Sequence, residues 1–256
     1  YARAVADAGL LALVACFGLA QLSHETTPSL AQLGFTALAF HGLAALAYRA
    51  AWPAVTLALG LLGLALSGAP AMATLFALGG ALTLLADPPA DARGLPPRAA
   101  AWIILGVTAM TGLAAAALDI WHWRLDGMSG PPREWRSLLK LLVWFTWPAW
   151  PLALYTLWRW RRQLRQRHLA LPLWFTVVAV GTALLSPNPD RALLLALPAL
   201  ATLAALALPT LKRSLSALID WFTLLFFSFC ALVIWVIWIS LQTGVPAKPA
   251  ANVARL

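Results

Sequence analysis

Charged residues make up only 11% of this 256-residue chain, and acidic ones are rarest, with 9 Asp and Glu against 18 Lys and Arg. That scarcity excludes a soluble domain of this size. A hydrophobic content of 62% and a mean hydropathy of +0.80 leave more apolar surface than a fold in water can bury. The only cysteines, Cys16 and Cys230, lie in apolar runs with no second thiol nearby. A disulfide framework and a thiolate zinc site are therefore excluded, and both residues read as small packing groups. The chain contains no P-loop, no Gly-rich dinucleotide fingerprint, no G-x-S-x-G elbow and no Cys/His metal spacing, which argues against nucleotide chemistry of the soluble type. It opens on Tyr1, without a charged leader or a cleavage site of the A-x-A kind, and is expected to be an internal fragment of a longer protein.

What remains is apolar sequence cut by short polar breaks. A bilayer core takes roughly 20 apolar residues as a helix, with about 17 to 25 tolerated. On that measure about nine spans are expected: Val5–Leu22, Leu30–Tyr48, Ala54–Leu66, Ala71–Ala86, Ala100–Leu118, Leu138–Trp158, Leu171–Leu185, Ala192–Leu208 and Leu218–Leu241. The expected fold is all-α, a polytopic membrane helical bundle forming one domain over residues 1–256. The third and fourth spans are short, and only Ser67, Gly68, Ala69 and Pro70 separate them. This predicts a helical hairpin turning at the membrane surface, with one long kinked helix as the alternative.

The net charge of +9 raises the question of nucleic acid, but the cations cluster between apolar spans, so topology accounts for them and no nucleic-acid partner is expected. Arg159, Arg161, Arg162, Arg165 and Arg167 share one short loop, which resists translocation and is assigned to the cytoplasmic side. Alternation then places Arg3, Arg49, Arg93, Arg98, Lys212 and Arg213 on that side too. Four loops fall on the opposite, periplasmic face: Ser23–Ser29, Ser67–Pro70, Asp119–Ser137 and Ser186–Arg191.

Those loops hold the candidate chemistry. In the first, His24 and Glu25 can act as an acid/base pair or bind a divalent metal ion, or simply be solvated residues before the helix that Thr27-Pro28 starts. The third mixes Trp121, Trp123 and Trp135 with Arg124, Arg133 and Arg136. That mixture suits either phosphate binding or an aromatic belt with snorkelling arginines, and the loop departs from the positive-inside bias. The fourth places Asp190 and Arg191 at a helix entry, where a carboxylate complements the dipole and a local ion pair can form. His41, inside the second span, reads as a packing residue. Trp144, Trp147, Pro148, Trp150 and Pro151 make the sixth span a kinked, indole-rich helix.

The order of these features resembles the C-type glycosyltransferases of the protein O-mannosyltransferase superfamily, family-39-like enzymes whose bacterial branch includes the lipid A aminoarabinose transferase. Thr27-Pro28-Ser29-Leu30-Ala31 is similar to that family's Thr-Pro-Asp-Ala-Leu segment, and Leu64 to Pro70 to its Ala-Phe-Leu-Thr-Lys-Gly-Pro hairpin. Trp144 to Leu152, followed by Trp158-Arg159, resembles its Pro-Trp helix, and Ser186 to Pro198 its later Ser-Lys-Leu-Pro-His-Tyr-Leu-Leu-Pro segment. Ser29 replaces an Asp of the family pattern, Gly68 a Lys, and Asn188 and Ala192 a later Lys and Tyr. The resemblance implies a bacterial inner-membrane enzyme that transfers a sugar from a polyprenyl phosphate to a periplasmic acceptor: lipid A, a glycan or a protein. It implies catalytic carboxylates upstream of Tyr1. It also implies a substrate-binding set of His24, Glu25, Arg124, Arg133, Asp190 and Arg191, with His24 and Glu25 on the acceptor side and Arg124 and Arg191 as phosphate contacts, where Arg133, Arg136 and Lys140 are the other cations. No metal ligand is assigned, and a divalent ion is the cofactor left open. Two alternatives remain: a non-catalytic scaffold of envelope polysaccharide assembly, and a lipid flippase or transporter, for which only His41 and scattered Thr supply mid-bilayer polarity.

Overall fold

The computed structural model describes residues 2–89, 94–121, 135–186, 188–211, 213–245, 248 and 251. Among them the regular structure is entirely helical. The helices are α1 (Ala2–Val14), α2 (Phe17–Leu22), α3 (Pro28–Ala45), α4 (Ala51–Leu66), α5 (Pro70–Ala86), α6 (Pro97–Ala117), α7 (Trp135–Phe145), α8 (Ala149–Arg159), α9 (Arg167–Leu185), α10 (Pro189–Leu194), α11 (Leu197–Ala207) and α12 (Arg213–Thr243). The chain forms two compact units, Tyr1–Leu208 and Pro209–Leu256.

Local sequence explains most helix ends of the first unit. Pro28, Pro70, Pro97 and Pro189 open helices at positions where a missing N–H costs nothing. The hairpin expected at Ser67–Pro70 forms. Gly68 takes φ +94°, its N–H bonds the Ala65 carbonyl and the Ala69 N–H that of Leu64, closing α4 so that α5 can return. Small residues then let backbones approach. A Cβ at Gly42 of α3 would lie 2.7 Å from the Leu57 Cα of α4. Alanine-rich α11 is buried on nearly every side and packs on α1, α8 and α9. The Thr156 hydroxyl of α8 donates to its Leu203 carbonyl at 2.7 Å. Between α5 and α9, Phe76 and Phe175 stack at 4.0 Å, and the Trp174 indole N–H donates to Leu75 O at 2.8 Å.

Among the described residues, the helices long and apolar enough to cross a membrane are Pro97–Ala117, Arg167–Leu185 and Asp220–Thr243, with the bent pair Arg136–Phe145 and Ala149–Arg159 a fourth if it is one span. This is fewer than the nine or so expected, for identifiable reasons. Helices α4 and α5, of 16 and 17 residues, are short. Within α3, Gln32 and His41 dilute the apolar run. Three expected spans are broken: Val5–Leu22 at Ala15–Cys16, Ala192–Leu208 at Leu195–Ala196, and Leu138–Trp158 at Thr146–Pro148. At the last break Pro148 stops the helix and the chain turns by 93°, much more than a kink. The breaks at Cys16 and Trp147 face each other, and the Phe17 N–H donates to Trp147 O at 3.1 Å. One donor freed at the first break thus meets one acceptor freed at the second, as an apolar surrounding demands.

Large apolar side chains point outward from this unit, among them Trp52 at 68%, Trp102 at 72% and Leu113 at 72% exposure. Such a surface suits lipid rather than water. In the second unit, α12 is apolar around its whole circumference, with Trp221, Phe222, Phe227, Ile234 and Trp238 exposed. Gly244, at φ +72°, ends it by donating to Ser240 O.

Candidate functional site

Hydrogen bonds sort the ends of the first unit's helices onto two faces. At one, the Gln32 side-chain amide donates to Ser67 O at 2.7 Å, joining the start of α3 to the α4–α5 turn. At the other, the Gly94 N–H donates to Ala47 O, and Arg167 reaches the end of α3. Helix α9 starts at that second face and returns to Ser186, beside α10.

On the first face the structure brings together two of the predicted residues. Arg191 Nη2 donates to Glu25 Oε2 at 3.3 Å, joining α10 to the loop before α3 across 166 residues of chain. Both side chains are well exposed, 44% and 39%, so the contact is a solvated ion pair open to a ligand rather than a buried lock. Arg191 therefore pairs with Glu25 and not with its neighbour Asp190. Asp190 occupies the first turn of α10, whose N-cap residue Asn188 makes no side-chain capping bond. His24 is exposed, and among the described residues no hydrogen bond joins it to Glu25. Arg124 and Arg133 lie outside the described residues. Arg136 and Lys140 are exposed on α7, which packs against α2 and α10, the short helices flanking the Glu25–Arg191 pair. Among the described residues no group of three or more His, Cys, Asp and Glu could hold a metal ion.

The most elaborate polar constellation lies on the opposite face, and reading the sequence missed it. Arg167 is 8% exposed. Its Nη2 donates to the Leu43 and Ala44 carbonyls, the latter at 3.2 Å, supplying the unpaired C-terminal end of α3 with donors and positive charge. The guanidinium stands 6.0 Å from the Tyr48 ring. Its own backbone N–H donates to Asp87 Oδ2 at 2.7 Å, so the residue after α5 caps the first turn of α9. One arginine and one aspartate thus tie three helices, an arrangement that reads as structural. No local signal separates it from Arg159 to Arg165, since Arg167 is followed by the polar His168 much as they are followed by polar or aromatic residues. His41, assigned to packing, does bond across a helix pair. Its Nδ1 lies 3.3 Å from Thr56 Oγ1, and that hydroxyl is also 3.0 Å from Pro53 O.

Among the described residues the regular structure is all helical, with helices long and apolar enough to cross a membrane. No family model, curated protein or solved structure matches it.

Proposed function

We propose that the chain is the membrane-embedded part of a glycosyltransferase that moves a sugar from a polyprenyl-phosphate donor to an acceptor at the periplasmic face of a bacterial inner membrane. The observation that carries this reading is the Glu25–Arg191 pair: a carboxylate from the loop before α3 and a guanidinium on α10, exposed together on the face away from the arginine loop. In the transfer the sugar C1–O bond to phosphate breaks as an acceptor hydroxyl oxygen attacks C1. The hydroxyl proton passes to a carboxylate base, and the leaving phosphate gains one negative charge. Arg191 is suited to hold that charge because its planar fork matches phosphate oxygens and is always protonated. Glu25 holds the guanidinium in position and, with His24, borders the acceptor side. Arg124 and Arg133 are the further phosphate contacts of this proposal, and Asp190 orients the α10 entry. No residue of this chain is assigned as the base.

In the same reading the hairpin α4–α5 lies in the bilayer. At about 1.5 Å per residue these helices are roughly 24 and 26 Å long, short of a core of about 30 Å by an amount that local thinning accommodates. The bundle of about nine crossings then includes spans broken at Cys16, Trp147 and Leu195. A non-catalytic scaffold is the second reading, favoured by Ser29 and Gly68, which lack the polar groups of the resembling family.

Transfer of labelled sugar from a polyprenyl-phosphate donor by the full-length protein in proteoliposomes tests the proposal. Arg191→Ala is expected to lower turnover by about a hundredfold, the usual loss when one donor to a developing anion is removed, while Arg191→Lys retains part of it. Turnover that Arg191→Ala leaves unchanged refutes the assignment.

A further inference from the structure

Beside the paired helix breaks lies an open groove of about 530 Å³ lined by Phe17, Lys140, Val143, Trp144 and Trp147. We propose that it holds one anionic phospholipid of the bilayer, with the lipid phosphate on Lys140 and the first acyl carbons against the aromatic rings.

Backbone geometry is the first support. Phe17 and Trp147 sit where two helices are interrupted, and their main chains bond each other at 3.1 Å. In an apolar layer, irregular backbone persists where protein buries it or where it borders a cavity that a ligand can fill. The aromatic wall is already ordered, since Phe17 and Trp144 meet at 4.9 Å between centroids.

The pattern along α7 is the second. Arg136 and Lys140 are one turn apart on the exposed face, and Val143 and Trp144 continue that face toward the break. Cation then aromatic, in line along one helix, is the order of head and tail in an amphiphile. The other face of α7 is packed: Leu141 and Leu142 are partly buried against the core, and Phe145 is fully buried. Leu138 and Leu141 of α7 line a cleft with Leu184, Pro189 and Leu193, so the first turns of α7 lie at the α10 end of the unit, which puts Lys140 at headgroup depth.

Charge decides the class of lipid. Neither α2 nor α7 contains an acidic residue, and the groove lining has none. The Lys140 ammonium, with Arg136 next to it, calls for a net negative headgroup, whereas a zwitterionic one would bring its own cation against theirs. This site is separate from the Glu25–Arg191 pair and stands or falls independently of sugar transfer.

Native mass spectrometry of the purified chain tests it, with phosphatidylglycerol, phosphatidylcholine and a polyprenyl phosphate titrated in turn. One phosphatidylglycerol should be retained, about fivefold more tightly than phosphatidylcholine. Lys140→Ala should abolish that preference, Lys140→Arg should keep it, and Trp144→Ala should weaken retention of both lipids. Arg162→Ala, on the far loop, should change nothing. Equal retention of the two phospholipids overturns the proposal, as does a phosphatidylglycerol preference that survives Lys140→Ala. Tighter, Lys140-dependent retention of the polyprenyl phosphate overturns the choice of a bilayer lipid as occupant.

Discussion

Replacing Arg167 by leucine should destabilise the first unit more than any other single loss of an arginine. The native guanidinium is almost wholly buried and donates to the Leu43 and Ala44 carbonyls at the end of α3. Hydrogen bonds to a charged group contribute about 1.5–3 kcal/mol each, so two give roughly 3–6 kcal/mol. An apolar replacement also removes the cost of keeping a cation out of water, which offsets part of that loss. The net expectation is a loss of roughly 2–4 kcal/mol, because the two carbonyls are left short of donors in a dry setting. Lysine can carry the charge but not the planar fork, so Arg167→Lys should fall between leucine and the native protein. The measurement is unfolding of the purified protein in mixed micelles, with the denaturing detergent fraction titrated and tryptophan emission followed. A shift under about 0.5 kcal/mol for Arg167→Leu would show that the clamp contributes little and that packing alone holds α3, α5 and α9 together.

Two further predictions concern the same unit. Gly42→Val should cost about 1–3 kcal/mol in the same unfolding assay, because the added carbons meet the Leu57 backbone and α3 and α4 must separate; native stability in this variant would contradict the close packing. A double-mutant cycle on Glu25→Ala and Arg191→Ala should give a coupling below about 1 kcal/mol for stability, since the pair is exposed, and a larger value would mark it as structural and weaken its assignment as a binding site.

Much of the layout was legible in the chain itself because it depends on local chemistry. Pro28 and Pro70 mark helix starts, Gly68 marks the hairpin, and the arginine loop predicts which ends lie together, consistent with the Gln32–Ser67 and Glu25–Arg191 contacts. Features set by tertiary partners were not legible. Nothing around Cys16 announces a break as Pro148 does; α1 stops there because Phe17 finds an acceptor in Trp147, 130 residues on, and a run of apolar residues looks the same whether continuous or interrupted. Arg167 has the same composition and neighbourhood as the exposed arginines before it, and only the fold brings it to the end of α3. Likewise Arg191 had an acid adjacent in sequence, Asp190, and took a distant one, because residues side by side on a helix point away from each other.

Everything proposed for the site depends on Glu25 and Arg191 sharing one membrane face, with the arginine loop on the other. The direct measurement starts from a background of Cys16→Ala and Cys230→Ala, adds single cysteines at Ser23, Asn188 or Gln163, and exposes sealed vesicles of known orientation to an impermeant maleimide. Positions 23 and 188 should label from the same side, and position 163 only from the opposite side. Labelling of all three from one side, or of 23 and 188 from different sides, would contradict the account.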